Sequence, residues 1–196
     1  MSGSSDGTMR IYDSRKLQAN VSAGCEAHIE IKGESAEEKV KISAIGAFEQ
    51  TYAVVVGTSR GQIRIYPIER LPSRNSTRND EIIKYSVTGE LEKIITLPHQ
   101  QRNECFSYIT AECCLGVQDI RSKTRSMSCN IGKERGLPRA LCATGRNSIL
   151  VGTVNGYVVN FDIRYNIISN VLQLYNDNEP LPITGISPCL LQGDQK

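Results

Sequence analysis

Nucleophilic or metal chemistry in this 196-residue chain would have to be built from seven cysteines and two histidines. The cysteines are Cys25, Cys105, Cys113, Cys114, Cys129, Cys142 and Cys189. A tetrahedral zinc site wants two ligands a few residues apart, matched by a second such pair. Only Cys113 and Cys114 are close, and adjacent residues of a strand point to opposite faces, so no metal site is expected. An odd number of cysteines at irregular spacing fits reduced thiols in a cytoplasmic chain better than a disulfide framework. Such thiols are expected to pack as small hydrophobes. A nucleophilic cysteine would also need a base, and His28 and His99 fall in expected loops with no motif around them, as surface residues. Glu34, Glu37 and Glu38 share a polar loop, where solvation accounts for their charge. The sequence therefore predicts no catalytic residue, no cofactor and no metal.

Anion binding is no better supported. The recurring glycines sit in strand-to-strand turns, whereas a phosphate loop leads from a strand into a helix. Arg70, Arg74 and Arg78 flank or occupy the polar stretch 72–81, but aromatic residues are not interleaved with them, as nucleic-acid contact would require. The net charge of +2 is too small for a general nucleic-acid binder. Ser73, Ser76 and Thr77 in the same stretch are open to phosphorylation, as any exposed serine-rich loop is. No apolar run approaches the length of a transmembrane helix, and the opening Met-Ser-Gly-Ser-Ser-Asp-Gly lacks the features of a secretory signal. With 39% hydrophobic and 22% charged residues, there is apolar material for one core.

The elements that would carry these residues repeat. Ser4 to Asp13, Thr58 to Pro67, Thr110 to Asp119 and Thr153 to Asp162 share one pattern, with Gly7, Gly61, Cys113 and Gly156 at the fourth position. Each reads as a hairpin unit, near 4–13, 53–67, 105–119 and 149–162. Asp6-Gly7, Arg60-Gly61 and Asn155-Gly156 are the expected two-residue turns, where glycine supplies positive φ. The incoming strands are apolar and β-branched, as in Ala53 to Thr58 and Ile149 to Thr153. The outgoing strands alternate, with Met9 and Ile11, Ile63 and Ile65, and Leu115 and Val117 on one face. Further strands are expected over Lys39–Phe48, Leu91–Leu97, Thr124–Asn130, Leu137–Thr144, Ile168–Tyr175 and Leu181–Ser187. Gly33–Glu38 and 72–81 are the expected solvated loops. Four strands per period of about 43 to 54 residues is the size of a propeller blade. Asp13, Asp119 and Asp162 each precede an arginine by two positions (Arg15, Arg121 and Arg164), on one strand face and within reach of a salt bridge. These pairs are expected to pin strand ends or to form a charged rim.

Ser-Ser-Asp-Gly-Thr-Met-Arg-Ile-Tyr-Asp13 resembles the most diagnostic stretch of a WD repeat. Tyr12-Asp13, Gln118-Asp119 and Phe161-Asp162 stand where that family has Trp-Asp. The likeness narrows with Gly3 to Asp13, Ile68-Glu-Arg-Leu-Pro72, Tyr108-Ile-Thr110 with Gln118-Asp-Ile-Arg121, and Val151 to Gly156 with Phe161-Asp-Ile-Arg-Tyr165. Together these resemble the C-terminal propeller of the kinase-like regulatory subunits of class III phosphatidylinositol 3-kinase complexes. The resemblance implies a scaffold that holds the lipid kinase catalytic subunit and a Beclin-type coiled-coil subunit. It implies phosphatidylinositol 3-phosphate production in autophagy and endosomal sorting, and a cytoplasmic protein peripheral to those membranes through its complex. The chain departs from the WD pattern in having no Trp and no Gly-His pair, so the family's buried His/Asp/Ser/Trp network is incomplete in every blade. Kinase motifs are absent, and the segment is expected not to be an enzyme.

The expected fold is all-β: an incomplete WD-repeat propeller over 1–196, with about three whole blades and partial blades at both ends. A seven-bladed ring at about 45 residues per blade needs about 315 residues. The chain thus reads as a segment, a truncated isoform or an incomplete gene model of a longer protein, or else as a closed four-bladed ring. An open segment would expose apolar blade faces and a strand edge, and is expected to be poorly soluble alone. An interaction module of an unrelated WD-repeat protein, in ubiquitin ligation or RNA processing, remains the other functional reading.

Overall fold

Short β-branched strands joined by tight turns satisfy their backbone groups most simply as antiparallel meanders. The computed structural model describes residues 1–12, 25–31, 40–48, 53–68, 83–97, 104–122, 127–144, 147–176 and 179–188, and these form four such meanders. The first sheet runs β1 (Ser2–Gly3), β2 (Thr8–Tyr12), β3 (Cys25–Glu30). The second runs β4 (Ile42–Phe48), β5 (Ala53–Thr58), β6 (Gln62–Pro67), β7 (Ile83–Ser86). The third runs β8 (Leu91–Thr96), β9 (Cys105–Thr110), β10 (Cys114–Asp119), β11 (Met127–Asn130). The fourth runs β12 (Pro138–Thr144), β13 (Ser148–Thr153), β14 (Tyr157–Asp162), β15 (Ile167–Gln173). A short pair follows, β16 (Tyr175–Asn176) with β17 (Glu179–Pro180). Helical structure among the described residues is confined to single 3-10 turns such as Lys133–Arg135.

The core is divided between sheets. Because successive side chains of a strand alternate faces, the fully buried strands β5 and β9 serve two neighbours each. Val54 and Val56 join Met9, Ile29 and Ile31 of the first sheet. Ala53 and Val55 join Phe106 and Tyr108 of the third. Cys105 and Ile109 join Ile149, Val151 and Phe161 of the fourth. Sheets stacked face to face about a common line of first strands, with β4 beside β8 and β8 beside β12, are the blades of a propeller. The first strand of each complete blade carries a register shift at the same place, at Ile42/Ala44, Leu91/Lys93 and Pro138/Ala140. Such a bulge bends the strand and raises its twist.

Three expectations are corrected. His28 lies in β3, opposite Arg10, and not in a loop. Leu181–Ser187 is not a strand. Ladder bonds need a second strand beside them, and none lies there among the described residues. The hairpin turns have three residues, not two. Gly57 pairs with Ile63 and Gly152 with Val158, which leaves Ser59–Gly61 and Val154–Gly156 as loops. The loops Gly33–Glu38 and 72–81, with Arg70, Arg74, Arg78, Ser73, Ser76 and Thr77, lie outside the described residues, as do Asp13, Arg15, His99 and Cys189.

Candidate interaction surface

A meander brings its second-to-third-strand hairpin and its exit crossover to the same end of the blade. That end is described in all four sheets. Gly7, Gly61, Cys113 and Gly156 have φ of 84°, 71°, 60° and 78°, and their amides donate to the carbonyls of Ser4, Thr58, Thr110 and Thr153 at 3.0–3.2 Å. This is a type I turn closed by one left-handed residue, which matches the strand twist with a three-residue loop. Asp6, Arg60 and Asn155 are not left-handed. Cys113 occupies the glycine corner, so Cys113 and Cys114 are a turn residue and a strand residue rather than opposite faces of one strand. The carbonyls of Gly7, Gly61, Cys113 and Gly156 then accept from Ile31, Val87, Ile131 and Leu174 at 2.8–2.9 Å, tying each exit to its hairpin.

A threonine before each complete hairpin does what sequence reasoning did not foresee. Thr58, Thr110 and Thr153 accept at Oγ1 from the amides of Gln62, Cys114 and Tyr157, at 3.1, 3.4 and 3.2 Å. All three are fully buried. The signal was present, since these residues open three of the four repeated segments. Thr153 Oγ1 also donates to the Arg135 carbonyl at 2.6 Å, locking the Lys133–Arg135 turn against the last blade. Thr153→Val keeps the shape and removes both bonds. It should cost about 1–3 kcal/mol for the unpaired buried groups, read as a lower urea midpoint at constant m, while Thr153→Ser should recover most of the loss.

Charged side chains pair at this end, two of the pairs across blades and the third between the hairpin and the exit of the third blade. Lys41 Nζ lies 3.5 Å from Glu90, Arg139 Nη1 lies 2.8 Å from Glu92, and Lys133 Nζ lies 2.6 Å from Glu112. Glu92, Lys93, Arg139 and Ser43 line an open depression of about 340 Å³ along the first strands. Exposed pairs of this kind contribute little to stability, so they serve mainly to give the surface a fixed charge pattern.

The opposite end carries the Asp–Arg pairs. Asp119 accepts from the Arg121 amide at 2.9 Å, and its carboxylate is clasped by that guanidinium at 3.0 and 2.6 Å. Asp162 does the same with Arg164, at 2.9, 3.1 and 2.7 Å. The arginines stand in the turns after β10 and β14, so the pairs are side-chain turns with ion pairs added, rather than neighbours on a strand face. Arg121 also reaches Glu104 at 2.8 Å. Tyr85 of the preceding blade donates to the Ser122 carbonyl at 2.8 Å, and Gln118 Nε2 donates to it at 3.1 Å. The Arg164 guanidinium lies 5.0 Å above the Tyr165 ring, which is 67% exposed.

Hydrogen bonds from the arginine side chains hold Asp119 and Asp162 below their ordinary 3.8. The Thr8 hydroxyl holds Asp6 down at about 2, and the Lys133 ammonium lowers Glu112. A depressed carboxylate stabilises the fold fully above its unfolded value and loses that contribution as pH falls through its folded value. Stability should therefore be flat from pH 7 to about 5 and decline below about 4. Carboxyl NMR titrations should place Asp6, Asp119 and Asp162 below the ordinary aspartate value.

The thiols have the opposite bias. Burial raises Cys113, Cys129 and Cys142 above the ordinary thiol value, which disfavours the reactive thiolate. Cys105, Cys113 and Cys142 are buried and Cys114 and Cys129 half-buried, all as free thiols. Among the described residues no three His, Cys, Asp or Glu side chains gather as metal ligands, and no helix is long and apolar enough to cross a membrane.

No family model matches the sequence, and a search of curated proteins found no match. Solved structures do match. Raptor from Chaetomium thermophilum is similar over 95% of this chain and 15% of its own, with a TM-score of 0.71 and 16% identity. The β-propeller domain of Cps50 (Swd1) from Myceliophteria thermophila is similar over 94% of this chain and 53% of its own, with a TM-score of 0.69 and 13% identity. The chain thus spans about half of the second structure and less of the first. With its four-stranded antiparallel blades, it has the fold of part of a β-propeller.

Proposed function

We propose that this chain is a non-catalytic platform for protein partners in a class III phosphatidylinositol 3-kinase complex, acting in phosphatidylinositol 3-phosphate production for autophagy and endosomal sorting. The observation that carries the reading is Asp162-Ile-Arg-Tyr165. The stretch that most narrows the resemblance is also a clasped ion pair presenting an exposed tyrosine. Tyr and Arg held rigid at a surface are the residue types that dominate protein interfaces. By resemblance the partners are the lipid kinase catalytic subunit and a Beclin-type coiled-coil subunit, and membrane contact is peripheral, through the complex. The test is co-purification of the chain with each purified subunit. Retention of one of them, weakened about tenfold or more by Tyr165→Ala, supports the reading. Retention of neither by the folded chain overturns it and leaves the propeller to another assembly.

A further inference from the structure

The register shift that recurs in the first strands leaves one residue of each without a partner in the second strand. These residues are Ser43 between Ile42 and Ala44, Glu92 between Leu91 and Lys93, and Arg139 between Pro138 and Ala140. A bulge sets two residues against one and re-aims a side chain. The bend itself asks for no particular residue type, yet the three positions hold a hydroxyl, a carboxylate and a guanidinium. All three line the single depression of about 340 Å³ along β4, β8 and β12. β8 brings a second charge to it, because Lys93 follows Glu92 in the same bulge, and Ile45 and Ile94 give it an apolar wall. Ser43 Oγ donates to the Gly57 carbonyl at 3.4 Å, so it closes the wall without offering a donor.

Charge at the mouth of the depression is one-sided. The Glu92 side chain is 15% exposed, and one of its oxygens accepts from Arg139 Nη1 at 2.8 Å, whereas Arg139 is 49% exposed. A guanidinium has five N–H donors in a planar fork, and this contact uses one nitrogen, so Nε and Nη2 keep no acceptor among the described residues. Lys93 is exposed and has no ion-pair partner among the described residues. The neighbouring Lys41–Glu90 pair is balanced. The lining thus carries a net +1, Lys93 and Arg139 against Glu92, with both cations outermost. One carboxylate neutralises it and matches the arginine fork. A phosphate dianion would leave charge over and would leave the isoleucine wall uncovered.

We propose that this depression takes a glutamate side chain of a protein partner, its carboxylate held between Lys93 and Arg139 and its methylenes laid against Ile45 and Ile94. A few convergent polar groups beside an apolar wall are what fixes a ligand's orientation in a pocket. Rim cations of this kind select partners by charge and speed their encounter. The inference rests on the reading of the chain as a protein platform, but not on Tyr165. That residue stands in the turn after β14, at the opposite end of the blades, so either contact can fail without the other.

The probe is the end-blocked tripeptide Ala-Glu-Ala, titrated into the isotopically labelled chain and followed by NMR. The backbone amides of Glu92, Lys93 and Arg139 should shift saturably, with a Kd in the millimolar range, the strength of one charged contact. The blocked peptide Ala-Gln-Ala should bind about tenfold more weakly or not at all. Lys93→Gln leaves the Glu92–Arg139 pair in place, so it should melt as the parent does while weakening the glutamate peptide about fivefold. Absence of saturable shifts at these three amides overturns the proposal, as does equal binding of the glutamine peptide or an unchanged Kd in Lys93→Gln. Inorganic phosphate saturating the same amides at a lower concentration than the glutamate peptide also overturns it, and makes the depression a phosphate site instead.

Discussion

Phe106→Ala should lower the free energy of unfolding by about 3–5 kcal/mol, a large share of the 5–15 kcal/mol that holds an ordinary domain together. Phe106 is fully buried in β9. Its ring lies 6.2 Å from Phe48 at 76°, 6.4 Å from Tyr85 and 6.2 Å from Tyr108. Phe48 and Tyr85 belong to the second blade and Phe106 and Tyr108 to the third, so the cluster is the contact between blades. Edge-on and tilted aromatic pairs each add about 0.5–1.5 kcal/mol to the burial of their area. The neighbours cannot close the gap. Tyr85 is tied by its hydroxyl to the Ser122 carbonyl, and Tyr108 is packed over Gly116, where a Cβ would strike its ring. The cavity therefore persists, and the cost falls at the upper end of the range. Phe106→Leu, which fills much of the space, should cost less than half as much. Guanidinium unfolding at constant m checks both, and a loss below about 1 kcal/mol for the alanine would mean that the blades do not share this core.

What could be foreseen from sequence depended on how local the cause was. Gly7, Gly61 and Gly156 marked hairpins because a left-handed corner is a one-residue demand. Cys113 was found only by its place in the repeat, since nothing about a cysteine announces positive φ. Loop length was misjudged because the same dipeptides serve two-residue turns and the type I turn with a left-handed third residue. His28 lies in Cys-Glu-Ala-His-Ile-Glu, whose strict apolar–polar alternation is the signal of a half-buried strand, so its place in β3 was legible. The bridges Lys41–Glu90 and Arg139–Glu92 join residues 49 and 47 positions apart, and only the stacking of blades brings them together. Leu181–Ser187 shows the converse. Its sequence reads as a strand and its first residues dock as one, yet a ladder is a property of two segments. No second segment lies beside it among the described residues.

Gly61→Ala is the other substitution with a large expected effect, about 3 kcal/mol. At φ 71° a side chain incurs about 1–2 kcal/mol from its own backbone. The added Cβ would also point at the carbonyl oxygens of Val87 and Gly89, the latter 2.8 Å away. That strand exit cannot retreat freely, because the Val87 amide is bonded to the Gly61 carbonyl at 2.8 Å, and moving it forfeits about a further 1 kcal/mol. Cys113 shows why the third hairpin escapes this. Its φ is 60°, but its side chain is buried in the cluster with Leu115 and Ile131, and its thiol donates to the Gly136 carbonyl at 3.8 Å. Gly185→Ala, with open space around the Cβ, should be close to neutral and serves as the control. If Gly61→Ala proved as mild, the Val87–Gly89 backbone would be free to move, and the tie between hairpin and exit that recurs at Gly7, Cys113 and Gly156 would not be what sets the end of each blade.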